Sequence, residues 1–232
     1  LTTATPATTP AAAIVVVQST AGGGKIILDD AGTGTALEGG GSPTSPGSPI
    51  NLTAGTGGIV AARANNDVAE IATTAATVTL NTAGPIGANG SRIQFANNPN
   101  TAQQQVVIGS TNQASSVYLD GLGSLTLGNI TGNTANTTVD VTARRDLVVA
   151  DGATVTAGTG TISLGADLKA DGTADNDGVG TLTVAGSALA TSANTTAGAI
   201  TLRGADIELT AAAGVNVSAT GAGGGVAIRS SD

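Results

Sequence analysis

Cysteine, methionine, tryptophan and histidine are all absent from this chain of 232 residues, and Phe95 and Tyr118 are its whole aromatic set. Each absence excludes something. Without cysteine there is no disulfide scaffold. Without histidine or cysteine there is no imidazole acid/base chemistry, no thiolate nucleophile and no ordinary zinc or copper site. Lysine and arginine number 8 against 16 acidic residues, a net charge of −8. No basic patch is present to neutralise phosphates, so nucleic acid is not an expected partner. Anionic membrane surfaces would repel the chain. No apolar run reaches the roughly 20 residues that cross a bilayer, so membrane insertion is not expected either. The longest run, Ala11 to Val17, reads as a strand or a short buried piece. The chain starts at Leu1 and has no methionine, as expected of a processed product or a piece of something longer.

What is present is small and aliphatic. Hydrophobic residues make up 40% of the chain, nearly all of them Ala, Val, Ile and Leu, with 35 glycines among them. A mean hydropathy of +0.23 and evenly spread β-branched residues argue against wholesale disorder. The apolar residues fall in short triplets of the form apolar-x-apolar, separated by turns rich in Gly, Ala, Thr and Asn. The clearest are Val139-Asp140-Val141, Ile162-Ser163-Leu164, Ile200-Thr201-Leu202 and Val226-Ala227-Ile228. Most are followed by a second element, Asp146-Leu147, Asp167-Leu168 or Asp206-Ile207. Earlier segments read the same way, among them Ile14 to Val17, Lys25 to Leu28, Ile59 to Ala61, Val68 to Ile71 and Val117 to Leu119.

The triplets are spaced by 23, 38 and 26 residues, as their numbers give directly. A turn of about 23 residues accounts for the first and last steps, and the middle one carries a surplus that falls in Ala170 to Gly180. Leucine-rich repeats need a dense Leu/Asn framework and helical repeats need helix formers; both are missing. The expected fold is therefore all-β, a right-handed parallel β-helix (β-solenoid). Its turns of about 23 residues carry loop excursions near 39–49 and 170–180, and about nine of them would make a rod ~40–45 Å long. Residues 1–13, rich in Thr and Pro, are expected to be a linker or extended arm, and residues 14–232 the β-helix.

Several segments resemble the β-helical repeats of filamentous haemagglutinin-like large exoproteins, the secreted bacterial adhesins of two-partner systems. Thr79-Leu80-Asn81-Thr82-Ala83-Gly84-Pro85-Ile86-Gly87 with Ser91-Arg92-Ile93-Gln94-Phe95 resembles one of their turns. Ser116-Val117-Tyr118-Leu119 with Gly123 to Ile130 resembles another, and Thr142 to Leu147 and Gly204 to Ile207 are similar to their A-x-x-D-L step. The resemblance spans roughly residues 50 to 230. It implies an exported, extracellular or cell-surface protein acting as a fibre or stalk, with host or neighbouring-cell surface glycans as candidate targets. Asn98-Pro99-Asn100 reads as a turn.

The chemistry to look for is thin. An enzyme is not expected, since carboxylates are the sole catalytic candidates and the basic residues are scattered from Lys25 to Arg229. No cofactor is expected. Calcium has one weak candidate site, Asp171, Asp175 and Asp177 in a Gly-containing loop, although the spacing of an EF-hand is not met. The recurring Asp146, Asp167 and Asp206 read as corner-shaping residues that accept a backbone N–H. Thr77-Val78-Thr79 and Thr181-Leu182-Thr183 are too sporadic for a regular threonine ladder. An uncapped solenoid end templates further pairing. The expected partner is thus the chain itself, in head-to-tail end stacking, or the continuation of a longer chain. Ile14, Val15, Val16 and Val17 at one end and Val226 and Ile228 at the other are the expected assembly residues. The alternative from another class is a glycan-binding or glycan-cleaving β-helix, marked by clustered carboxylates in a groove or by Phe95 and Tyr118 side by side on one face.

Overall fold

In a computed structural model of the chain, the structure describes residues 15–31, 34–40, 47–73, 77–96, 106–132, 137–175, 177–186, 188–191, 199–210, 215–220 and 224–231. The proposed arm over residues 1–13, Ile14 and the Asn98-Pro99-Asn100 turn lie outside them. Among the described residues there are 22 strands and no helix. All strand pairing between them is parallel, and it builds two sheets of 11 strands each.

The chain winds through both sheets in eight coils, each contributing one strand to the main path of each sheet. The first three coils are β1 (Val15–Ser19), β2 (Lys25–Leu28) and β3 (Leu37–Gly40); β4 (Ile50–Ala54), β5 (Gly58–Ala61) and β6 (Ile71–Thr73); and β7 (Thr77–Asn81), β8 (Pro85–Ile86) and β9 (Ile93–Ala96). Two coils of long strands follow, β10 (Val106–Ala114) with β11 (Ser116–Gly121), and β12 (Leu125–Gly132) with β13 (Thr138–Ala143). The sixth is β14 (Leu147–Val149), β15 (Thr154–Thr156) and β16 (Thr161–Ala166); the seventh β17 (Thr181–Ala185), β18 (Ala188–Thr191) and β19 (Ile200–Gly204); the eighth β20 (Asp206–Thr210), β21 (Asn216–Ala219) and β22 (Val226–Ser230). The extra strand of each three-strand coil changes sheet along the molecule. β3, β6 and β9 belong with β2 and its neighbours, whereas β15, β18 and β21 belong with β1 and its neighbours.

Alternation explains why these residues make strands. In β13 and β16, Val139, Val141, Ile162 and Leu164 face in and are buried, while Asp140 and Ser163 face out. The parallel register stacks like on like. Val117 pairs with Val139, Val139 with Ile162, Ile162 with Ile200, and Ile200 with Val226. On the other sheet Leu125, Leu147, Leu182 and Ile207 form a second column. The four triplets that stand out in the sequence are thus one physical stack. Each fully buried Val, Leu or Ile in it contributes about 1.5–3 kcal/mol. Phe95 is the one aromatic ring in this otherwise aliphatic core.

The steps along this sheet are not uniform. Ile26, Ile59, Ile86 and Val117 follow at 33, 27 and 31 residues, then Val139 and Ile162 at 22 and 23, then Ile200 and Val226 at 38 and 26. Among the described residues eight coils are present, and six of them carry a third strand. Within the 38-residue step the described residues between β16 and β17, 167–175 and 177–180, enter no named strand, and β17 belongs to the other sheet. The other expected excursion is partly strand, since Gly39 and Gly40 end β3, and residues 41–46 lie outside the described set.

Two expectations need correction. Val68-Ala69-Glu70 alternates like a strand, but only Ile71 of that segment enters one. Residues 62–70 instead lie across the outer flank, where the Glu70 carboxylate binds the backbone of β9. Asp167-Leu168 is not the equivalent of Asp146-Leu147 and Asp206-Ile207. Leu147 pairs with Leu182 and Leu182 with Ile207, while Leu168 opens the excursion and forms one isolated bridge to Ala174.

Candidate functional site

Three places stand out in the described structure: its two ends and a covered polar seam. At the last coil, β20 and β22 end their sheets, and β21 pairs with β18 alone. Their outer edges are free of a neighbouring strand among the described residues. By register Leu209, Val226 and Ile228 face inward, above the buried Val184, Ile200 and Leu202. Among the described residues no strand lies above them, and Leu209, Val226 and Ile228 are 48%, 43% and 57% exposed. The first coil is different. Its inward Ile26, Leu28 and Leu37 are only 6%, 7% and 3% exposed. Val15, Val16 and Val17 lie in β1, paired with β4 through Ile50, Asn51 and Leu52. Val16 faces outward and is exposed, and Val17 packs against the core. The proposed assembly residues thus sit at opposite ends, but the ends are unlike. The third strand lies in one sheet at the first coil and in the other at the last.

The seam lies on the outer face of the β9–β11–β13 sheet. By register Gln94, Asp120 and Thr142 occupy matching outward positions in three successive coils. All three are buried, because loops cover them. Gln94 Nε2 donates to Asp120 Oδ2 at 2.9 Å, and the Thr142 hydroxyl donates to Oδ1 at 2.7 Å. The backbone N–H of Gln94 donates to Glu70 Oε2 at 2.7 Å. Asn66 joins the row to the first coil, donating from Nδ2 to Asp30 Oδ2 at 2.6 Å and from its backbone to Gln94 Oε1 at 3.2 Å. Burial pushes the Glu70 carboxyl up to about 7, with Asp30 and Asp120 adding repulsion against two opposing backbone hydrogen bonds. Burial raises Asp120 as well, against hydrogen bonds from Gln94 and Thr142 and the charges of Arg144 and Arg92.

Arg92 fastens the seam lengthwise. Its side chain is 3% exposed and spans several coils, donating to the carbonyls of Leu119 and Asp140, to the Asp140 carboxylate at 2.8 Å, and to Ala170 O in the excursion at 2.6 Å. Its guanidinium lies 5.8 Å from the Tyr118 ring. The excursion is held at other points too. Leu168 lies on Gly165, Arg203 donates to Gly172 O, and the Ser231 hydroxyl donates to Asp167. Neither Arg92 nor Glu70 stands out in the sequence. What would have singled them out is the pairing of Gln94, Asp120 and Thr142, and that register becomes visible only once the coils are aligned.

The calcium candidates behave as local turn residues. Asp171 accepts from the backbone and hydroxyl of Thr173 at 2.9 and 2.6 Å, which holds its carboxyl below the usual range. Asp177 accepts from Val179 N–H, and Asp175 faces Lys169 at 3.7 Å. Among the described residues no three acidic side chains are gathered as a metal site would need. Asp146 takes the corner role expected of it, accepting from Thr181 N–H at 3.1 Å. Phe95 is buried in the core while Tyr118 lies outside against Arg92, so the two do not share a face. Thr77-Val78-Thr79 and Thr181-Leu182-Thr183 lie in β7 and β17, with three strands between them in their sheet, and form no continuous ladder. Comparison with family models, with curated proteins and with solved structures gave no match.

Proposed function

We propose that the chain is a structural or adhesive rod, exported to the cell surface or beyond, and working as a segment of a larger exoprotein or as a subunit of an end-to-end filament. One observation carries this reading. A single aliphatic core runs through all the coils and, among the described residues, is left uncovered at the last, where the core-facing Leu209, Val226 and Ile228 are exposed beside free strand edges. Such an edge takes a further parallel coil, from a continuing chain or from a second copy. The hand is right, as parallel crossovers are in nearly all cases. The basic coil is about 23 residues, supported by the 22- and 23-residue steps from Val117 to Ile162, and longer steps are that coil with excursions.

Stacking of copies would join β20 to β1 and β22 to β2, bringing Arg229 beside Asp29 of the next copy by continuation of the observed registers. The third strands would not meet, since they lie in different sheets. The resemblance to filamentous haemagglutinin-like repeats supports export and an adhesive use of the flanks, with surface glycans as targets. Sedimentation velocity is the test. The chain should associate with rising concentration, and Ile228→Lys should abolish this by placing a charge on the open core. A monodisperse monomer whose β20 and β22 amides are as protected as those of β13 and β16 would refute the reading. A blank glycan array would remove the adhesive part alone.

A further inference from the structure

Residues 62–70 connect β5 to β6 and contribute no strand, yet they lie closed over the seam. Their grip is polar. Asn65 N–H donates to Gly90 O at 2.9 Å, Asn65 Oδ1 accepts from Arg92 N–H at 2.7 Å, and Asn66 and Glu70 reach Asp30 and Gln94 as described. Ala69 is the one apolar side chain of the segment that is fully buried. A segment held by hydrogen bonds with so little apolar burial opens at low cost.

The charges around Glu70 are unevenly matched. The turn after β2 brings Asp29 and Asp30, the loop itself Arg63 and Asp67, the approach to β9 Arg92, β11 Asp120, and β13 with its following turn Asp140 and Arg144. Every arginine in this set is already engaged. Arg63 pairs with Asp29 and Asp30, Arg92 with Asp140, and Arg144 with Asp67. Among the described residues no ion pair includes Glu70 or Asp120. A charge forming on Glu70, which is 2% exposed, would meet the repulsion of Asp30 and Asp120 with no ion-pair partner among the described residues.

We propose that residues 62–70 are a proton-held flap: they shut on the outer face of the sheet while Glu70 is protonated, and its deprotonation loosens them and uncovers Gln94, Asp120 and Thr142. The elevated carboxyl of Glu70, near 7 against an ordinary 4.5, fixes the direction and window. The closed form favours the bound proton. Closure is therefore fully stabilised below about pH 4.5, weakens as pH rises, and levels off above about 7.

The test is hydrogen exchange on the full chain, read on peptides covering residues 62–70 between pH 4.5 and 8, with the intrinsic chemical rate divided out. The opening constant should rise about sixtyfold from pH 5 to pH 7.5, while peptides from β13 and β16 stay flat. Glu70→Gln should hold the loop shut at every pH. Asp30→Asn removes one repelling carboxylate and should move the upper end of the rise to lower pH. A flat wild-type profile, an equal rise in β13 and β16, or a rise that survives in Glu70→Gln would each overturn the flap. If Glu70→Gln does not fold, Asp30→Asn decides, and an unmoved profile overturns it.

Discussion

Leu164 is held between Val141 of the preceding coil and Leu202 of the next, and is wholly buried. Its packing is aliphatic against aliphatic, with no ring nearby to collapse into a hole. Leu164→Ala should therefore cost about 2–5 kcal/mol, seen as a drop in the urea midpoint. Glycine matters at single positions for different reasons. A Cβ on Gly160 would run into the backbone carbonyl of Thr137, which cannot move without breaking the coil. Gly172 has open space around it but a φ of +79°, so only the conformation resists a side chain. Gly172→Ala should cost about 1–2 kcal/mol and Gly160→Ala clearly more, measured side by side in the same denaturant series. In the Arg92–Asp140 ion pair the guanidinium is nearly inaccessible. Arg92→Ala strands the polar atoms it serves and should cost about 3 kcal/mol or more, whereas Asp175→Ala, at a partly exposed and long pair with Lys169, should change stability by less than about 1 kcal/mol.

Among the elements, β16 is bonded on both sides, to β13 and to β19. Ser163 lies at its centre with its side chain outward. Ser163→Pro removes a ladder donor from a central strand, where proline is not tolerated. It should abolish cooperative folding of the neighbouring coils, visible as loss of exchange protection in β13 and β19. Val148→Thr, outward on β14, should be nearly silent in the same experiment. The elements also show where pattern fails. Val68-Ala69-Glu70 and Asp167-Leu168 carry the same alternation as true strands. What removes them from the sheets is a contact made elsewhere, Glu70 on the β9 backbone and Leu168 on Gly165. Nothing within those segments encodes that contact.

Across the whole molecule each coil touches mainly its neighbours, so stability is quasi-one-dimensional. A lesion in the last coil should stay local. Ile228→Ala is expected to speed exchange in β19 and β22 and leave β4 and β5 unchanged, read on one set of peptides. The arms that break this rule are Arg92 and the excursion at 167–180, which join the third coil to the fifth and sixth and tie the excursion to the seventh. Cutting them should make the protection of the middle coils less uniform. The sequence by itself determined the parallel all-β coil and its aliphatic stack at Val139, Ile162, Ile200 and Val226, because periodic burial writes itself into local spacing. Only the tertiary structure decided which outward residues become buried, how the third strand changes sheets, and why the two ends differ. Those depend on registers set between residues tens of positions apart, and on loops folding back over faces that no local pattern marks as covered.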